Sequence, residues 1–321
     1  MNAAGRLAIF STVLAVGFGC AYIVASAVVP DSAVESWGAT GHTMEGNEMK
    51  EHQGAAHGSA DDVQGLSLGR DGYTLSVVGA PIRAGVDGEL QLNISGADGG
   101  PLVEFATTHD KKLHLIVVRS DGEGFRHVHP TLDATTGTWT VPWKWDAAGS
   151  YRVFADFRPA DRHDAQPLTL SRVVNVAGDF TPVRHNAIRT VDQVAGFTVQ
   201  LNGELKAGAA GELTMTVTRE GQPVTTLQPY LGAFGHLVAL RDGDLAFLHV
   251  HPEGAEPMAN QHGGPSISFM AQAPTAGRYF LYLDFQVEGR VHTATFVVDA
   301  LPGVDGSEAG SSHGSAHSGG H

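Results

Sequence analysis

The chain predicts an all-β protein made of two antiparallel β-sandwiches in tandem, and three observations carry that prediction. The first is a repeated motif: Phe125-Arg126-His127-Val128-His129-Pro130 returns as Phe247-Leu248-His249-Val250-His251-Pro252. Another histidine, His114 or His236, lies thirteen residues before the first histidine of each pair. The second is a downstream echo, in which Gly149-Ser150-Tyr151 and Gly277-Arg278-Tyr279 each lead to Asp-Phe, at Asp156-Phe157 and Asp284-Phe285. The copies are offset by 122 residues through the histidine motif and 128 through the tyrosine motif, so one small insertion separates two parallel patterns. Such self-similarity marks a duplicated unit. The third is a series of short β-branched or alternating runs, punctuated by Gly, Pro, Asn and Asp.

In chain order, Leu7 to Val29 is almost wholly apolar and uncharged, between Arg6 and Asp31. It is long enough to span a bilayer, with the basic end predicted inside. The alternative is a signal peptide cleaved at the A-x-A site Ala25-Ser26-Ala27. Residues 1–30 are therefore read as an anchor or signal segment. Residues 31–65 lack apolar periodicity and carry His42, Met44, Met49, His52 and His57, which reads as a disordered linker. Residues 66–178 form the first predicted sandwich, with strand-like runs at Tyr73–Val78, Glu89–Ile94, His114–Val118, Thr138–Val141, Tyr151–Phe157 and Leu170–Val176. A linker over 179–195 leads to the second sandwich, residues 196–300. Its runs are Phe197–Leu201, Glu212–Val217, His236–Leu240, Ser266–Phe269, Tyr279–Phe285 and Thr293–Val298. The tail, 301–321, places His313, His317 and His321 among Gly and Ser, suited to loose metal capture. A Gly-x-Tyr leading a strand is similar to the tyrosine corner of immunoglobulin-like domains.

Composition excludes several functions. The net charge of -14, with no cluster of Lys or Arg, argues against a nucleic-acid partner. Cys20, the only cysteine, lies in the N-terminal apolar segment, so neither a disulfide framework nor a cysteine metal site is available. Hydrolase triads and phosphate loops are absent, and no enzymatic activity is expected. Seventeen histidines would carry the charge from -14 to +3 if all were protonated, so the surface field is expected to depend on acidity between about pH 5 and 7.

The histidines can be placed by strand arithmetic. Ser120-Asp121-Gly122-Glu123 and Arg241-Asp242-Gly243-Asp244 read as four-residue turns, setting His114 opposite His127 and His236 opposite His249. Opposed residues have Cβ atoms about 5 Å apart. His127 and His129 share a face, as do His249 and His251. Three imidazoles thus gather on one hairpin, twice, within reach of metal coordination. Asp156 and Asp284, on a neighbouring strand, are candidate fourth ligands or acceptors for a ring N–H. His109 breaks the symmetry, because the second copy has Leu231 at that place; His262 and His292 occur only in the second copy. The competing expectation is a structural network of half-buried histidines. An imidazole set suits copper, and zinc less so, and the methionines of the linker favour copper.

The frame Lys112-Leu113-His114, Phe125 to Pro130 and Gly149 to Phe157, with Tyr230 to Leu240 in the second copy, resembles a group of bacterial, largely actinobacterial, secreted or membrane-anchored proteins. They are known as YtkA-like or heavy-metal-binding tandem domain proteins. The resemblance covers about residues 70–300 and implies an immunoglobulin-like fold and a link to copper handling. Phe-x-His-Val-His also resembles the copper-ligand strand of copper/zinc superoxide dismutases, but the zinc-loop ligands, disulfide and active-site arginine motif of those enzymes are missing. The sequence thus predicts a membrane-tethered protein, single-pass with its bulk outside the cytoplasm, or secreted after cleavage, that buffers or delivers copper. The alternative is a non-catalytic immunoglobulin-like interaction module whose histidines are structural or sense pH.

Overall fold

The structure is a computed structural model and describes residues 63–303 apart from His249. The apolar segment 7–29, most of the linker before residue 63 and the tail from residue 304 lie outside the described residues. No helix among the described residues is long and apolar enough to cross a membrane.

The first repeat is built from β1 (Gly69–Arg70), β2 (Tyr73–Leu75), β3 (Gly88–Ser95), β4 (Phe105–Ala106), β5 (Leu113–Arg119), β6 (Arg126–Val128), β7 (Thr131–Asp133), β8 (Thr138–Trp143), β9 (Gly149–Pro159) and β10 (Leu168–Val176). One sheet runs β1-β2-β3-β8-β7; the other runs β10-β9-β5-β6, with β4 on β9. The second repeat is built from β11 (Val191–Val194), β12 (Phe197–Gly203), β13 (Ala210–Arg219), β14 (Gln222–Pro223), β15 (Gly235–Arg241), β16 (Phe247–Leu248), β17 (Val250–Pro252), β18 (Ser266–Gln272), β19 (Gly277–Val287) and β20 (Arg290–Ala300). Its sheets are β11-β12-β13-β18-β17, with β14 on β13, and β16-β15-β19-β20. All pairings between these strands are antiparallel.

Each pair of sheets closes over its own core. Leu90, Leu92, Trp139, Leu115, Val153 and Leu170 meet in the first repeat. Val199, Met215, Phe269, Leu237, Leu281 and Phe296 meet in the second. Both repeats are β-sandwiches, and both carry the tyrosine corner. Tyr151 Oη donates to Ala147 O at 2.9 Å, and Tyr279 Oη to Thr275 O at 2.9 Å, four residues upstream in each case.

A third core lies between the repeats. Along β5, Leu113, Leu115 and Val117 point into the first sandwich, so His114, Ile116 and Val118 face outward by strand alternation. Along β15 the outward set is His236, Val238 and Leu240. Ile116, Val118 and Phe154 pack there with Val238, Leu240, Phe280 and Tyr282. The β5 and β15 sheets therefore stack outer face to outer face, within one compact unit. Phe125 stacks on Tyr282 with ring centroids 4.0 Å apart, and Tyr282 Oη donates to Gly122 O at 2.6 Å. The histidine-bearing strands end up facing each other across the junction.

The expected hairpin register is corrected by two residues. In the first repeat Ile116, not His114, pairs with His127, and in the second Leu240 pairs with Phe247. The turns are longer than the four residues expected. Arg119 N donates to Glu123 O, with Gly122 and Gly124 at positive φ; in the second repeat Arg241 N donates to Ala246 O, with Gly243 and Leu245 at positive φ. A slip of two leaves every side chain on its original face.

Candidate metal centre

His114, His127 and His129 come together at the edge of the junction. His114 Nδ1 lies 3.0 Å from His127 Nε2 and 3.2 Å from His129 Nε2, and the three candidate ligand atoms all fall within 4.8 Å of one another. Two nitrogens bound to one ion at about 2.0–2.1 Å, with angles between 90° and 110°, would be about 2.9–3.3 Å apart. The observed separations lie in that window.

The outer ring nitrogens fix how the inner ones are protonated. His114 Nε2 lies 3.0 Å from Thr108 O, and a carbonyl only accepts, so this nitrogen carries the proton. His127 Nδ1 lies 2.9 Å from Asp284 Oδ2 and donates to that carboxylate. For neutral rings, His114 Nδ1 and His127 Nε2 are then both bare lone pairs, facing each other at 3.0 Å. That contact is repulsive unless a proton or a metal ion sits between them.

Burial works against the proton. It holds His114 down to about 4 and His129 down to about 3, with the neighbouring His127 adding to both. His236 is held well below the ordinary histidine range by burial, then by His127, His114, His109 and His129. The His127 and Asp284 side chains are 0% and 3% exposed, so this cross-repeat pair is screened little by solvent. Burial thus disfavours protonation of His114, His129 and His236, and the converging nitrogens suit a metal cation.

The second repeat supplies the surroundings. Asp284 is directly opposite His236 across β15 and β19, and its other oxygen accepts from Thr293 Oγ1 at 2.6 Å. A carboxylate that orients a ligating imidazole from behind is a common feature of metal sites. The His236 ring is 4.8 Å from that of His127 and lies parallel to His114, with centroids 5.6 Å apart. His109, exposed and at φ 49°, sits over the same group, 5.8 Å from His236 and 6.2 Å from His114. The Tyr230 ring lies 6.5 Å from His129, and burial pushes its hydroxyl up to about 12.

The other residues singled out in the sequence take different places. Asp156 is directly opposite His114 and accepts from Thr169 Oγ1 at 2.8 Å, the counterpart of the Asp284–Thr293 bond; burial raises its carboxyl. His249 is outside the described residues. The backbone of His251 belongs to β17, which pairs with β18 in the other sheet, so it does not continue along β15. The second predicted cluster lies outside the described residues, because His249 and the side chain of His251 are not among them. His236 and Asp284 join the first-copy cluster because the two sheets stack on each other. The signal for this was present: His114-Leu-Ile-Val-Val and His236-Leu-Val-Ala-Leu are apolar on both faces, as expected of strands covered on both sides.

Comparison with known proteins agrees with the duplication. The sequence model of a family described as "Domain of unknown function (DUF8832)" matches residues 68–176 and again residues 190–301. No curated protein matches the chain. Among solved structures, the "D0-D1 domain of Intimin" is 12% identical, covers 71% of this chain and 97% of its own, and has a TM-score of 0.21. The fibronectin(III)-like modules of Clostridium thermocellum CbhA are 12% identical, cover 72% of this chain and 94% of their own, and have a TM-score of 0.19. Likeness at that level carries no argument.

Proposed function

We propose, for a chain that belongs to the DUF8832 family through both of its repeats, a non-enzymatic role in binding metal, with copper as the ion it buffers or delivers outside the cytoplasm. The reading rests on one observation: three imidazole nitrogens converge at 3.0 and 3.2 Å while the outer nitrogens of His114 and His127 are already committed. His114, His127 and His129 would hold the ion. Asp284 would orient His127, and His236 or His109 is near enough to complete the set. Copper is chosen over zinc because neutral imidazoles without thiolate suit both, and the general affinity order favours copper. The resemblance to YtkA-like heavy-metal-binding proteins supports the same choice. An N-terminal anchor would hold the protein at the membrane, with His and Met of the linker and tail feeding the centre.

The test is a copper and zinc titration of the soluble region, with and without the linker and tail. One tight equivalent is expected to survive removal of the tails and to vanish in His127→Ala. Unchanged stoichiometry in His127→Ala would remove the junction site. A second reading, an interaction module with structural histidines, draws on the Thr108 and Asp284 bonds, which would hold two rings with no ion present. It predicts a melting temperature indifferent to copper, zinc and chelator.

A further inference from the structure

A cavity of about 270 Å³ opens at the junction of the two repeats. Its walls are the Gly122–Phe125 turn of the first repeat, His185 and Arg189 of the connecting segment, and Phe280, Tyr282, Thr293 and Thr295–Val297 of the second repeat. Ligand sites gather at such junctions and combine an apolar lining with a few converging polar groups. We infer that this cavity is a binding site for a small monocarboxylate with an apolar body about the size of a phenyl ring.

The apolar side is aromatic. Phe125 is stacked on Tyr282, and Phe280 packs against the His185 ring at 5.1 Å. The polar side carries one guanidinium and is incompletely used. Arg189 lies exposed at the rim, where Nη2 is bonded to Thr295 Oγ1, and a guanidinium has five N–H donors. His185 Nε2 is buried and lacks a hydrogen-bond partner; Glu123 Oε1 is 3.3 Å away but not aligned to accept. A buried ring nitrogen without a partner is uncommon in a folded protein, and it lies in the cavity wall. Glu123, the one carboxylate in the lining, stands beside His185, and Arg189 is the one guanidinium there and the group an acid head would bind. An acid head on Arg189 with a ring against Phe125 and Phe280 uses both sides at once. None of the three clustered histidines lines the cavity, but Thr293, whose hydroxyl donates to Asp284, does, so the test is run without metal.

The experiment titrates chelator-treated protein with phenylacetate and follows backbone amide resonances. Acetate lacks the apolar body, and 2-phenylethanol has nearly the same shape without the charge. Saturable shifts at Gly122, Gly124 and Thr295 are expected with phenylacetate, and much weaker ones with either control. Arg189→Gln, an exposed change, should raise the dissociation constant about tenfold or more, as loss of a charged hydrogen bond does. No saturable shift with phenylacetate, equal binding of 2-phenylethanol, or unchanged affinity in Arg189→Gln would each overturn the inference.

Discussion

At the scale of single residues, the protein turns on how imidazole protons are distributed. Thr108 O and Asp284 take the outer protons of His114 and His127, so their inner nitrogens face each other at 3.0 Å, a contact that a shared proton or a metal ion must bridge. Replacing Asp284 with Asn should therefore lower copper affinity about 10–100-fold although all three converging imidazoles remain, the usual effect of losing an orienting carboxylate. Titration calorimetry reads this directly. The metal-free protein should also be acid-sensitive. His114 and His129 are depressed to about 4 and about 3, so between those values and the unfolded value near 6.5 the unfolded chain binds more protons. Their contribution to stability is complete above about pH 6.5 and is lost as pH falls towards 3–4. Thermal melts across pH 7 to 4 should show a falling midpoint, with the fall reduced in His114→Gln. The same depression corrects the composition-based expectation: these rings, with His236, do not add charge between pH 5 and 7. Much of this centre was legible, because strand alternation alone puts His127 and His129 on one face. The Asp284 contact was not, since nothing in a single sequence links positions 157 residues apart in separate repeats.

At the scale of elements, turns and corners decide where the rings arrive. The longer strands were readable from β-branched runs and from Gly-x-Tyr; the hairpin register was not, because Gly122, Gly124, Gly243 and Leu245 adopt positive φ and lengthen the turns. Gly122 matters twice, as a residue at φ 82° and as one whose added Cβ would meet the Phe280 ring at 2.9 Å. Gly122→Ala should destabilise the protein by about 1–3 kcal/mol, from backbone strain and overpacking together. Denaturant unfolding checks it. Tyr151→Phe removes one corner hydrogen bond and should have a smaller effect, about 0.5–1.5 kcal/mol.

At the scale of the whole molecule, duplication made two sandwiches, and the outward faces of β5 and β15 joined them. The repeat itself was plain in the sequence, whereas the stacking of the two sheets was written only as runs apolar on both faces. Val238 lies in the junction core and not in the core of its own sandwich, so Val238→Asp places a carboxylate between the repeats while leaving both sandwich cores intact. That variant should show a larger radius of gyration by X-ray scattering and weaker copper binding, with every candidate ligand unchanged.

The most direct test is copper X-ray absorption on residues 63–303 loaded with one equivalent, so that neither linker nor tail can compete. Convergence of His114, His127 and His129 predicts a shell containing three imidazoles at about 2.0 Å, and that shell should be lost in His127→Ala together with the tight equivalent. A shell without imidazole, or an identical spectrum from His127→Ala, would contradict it.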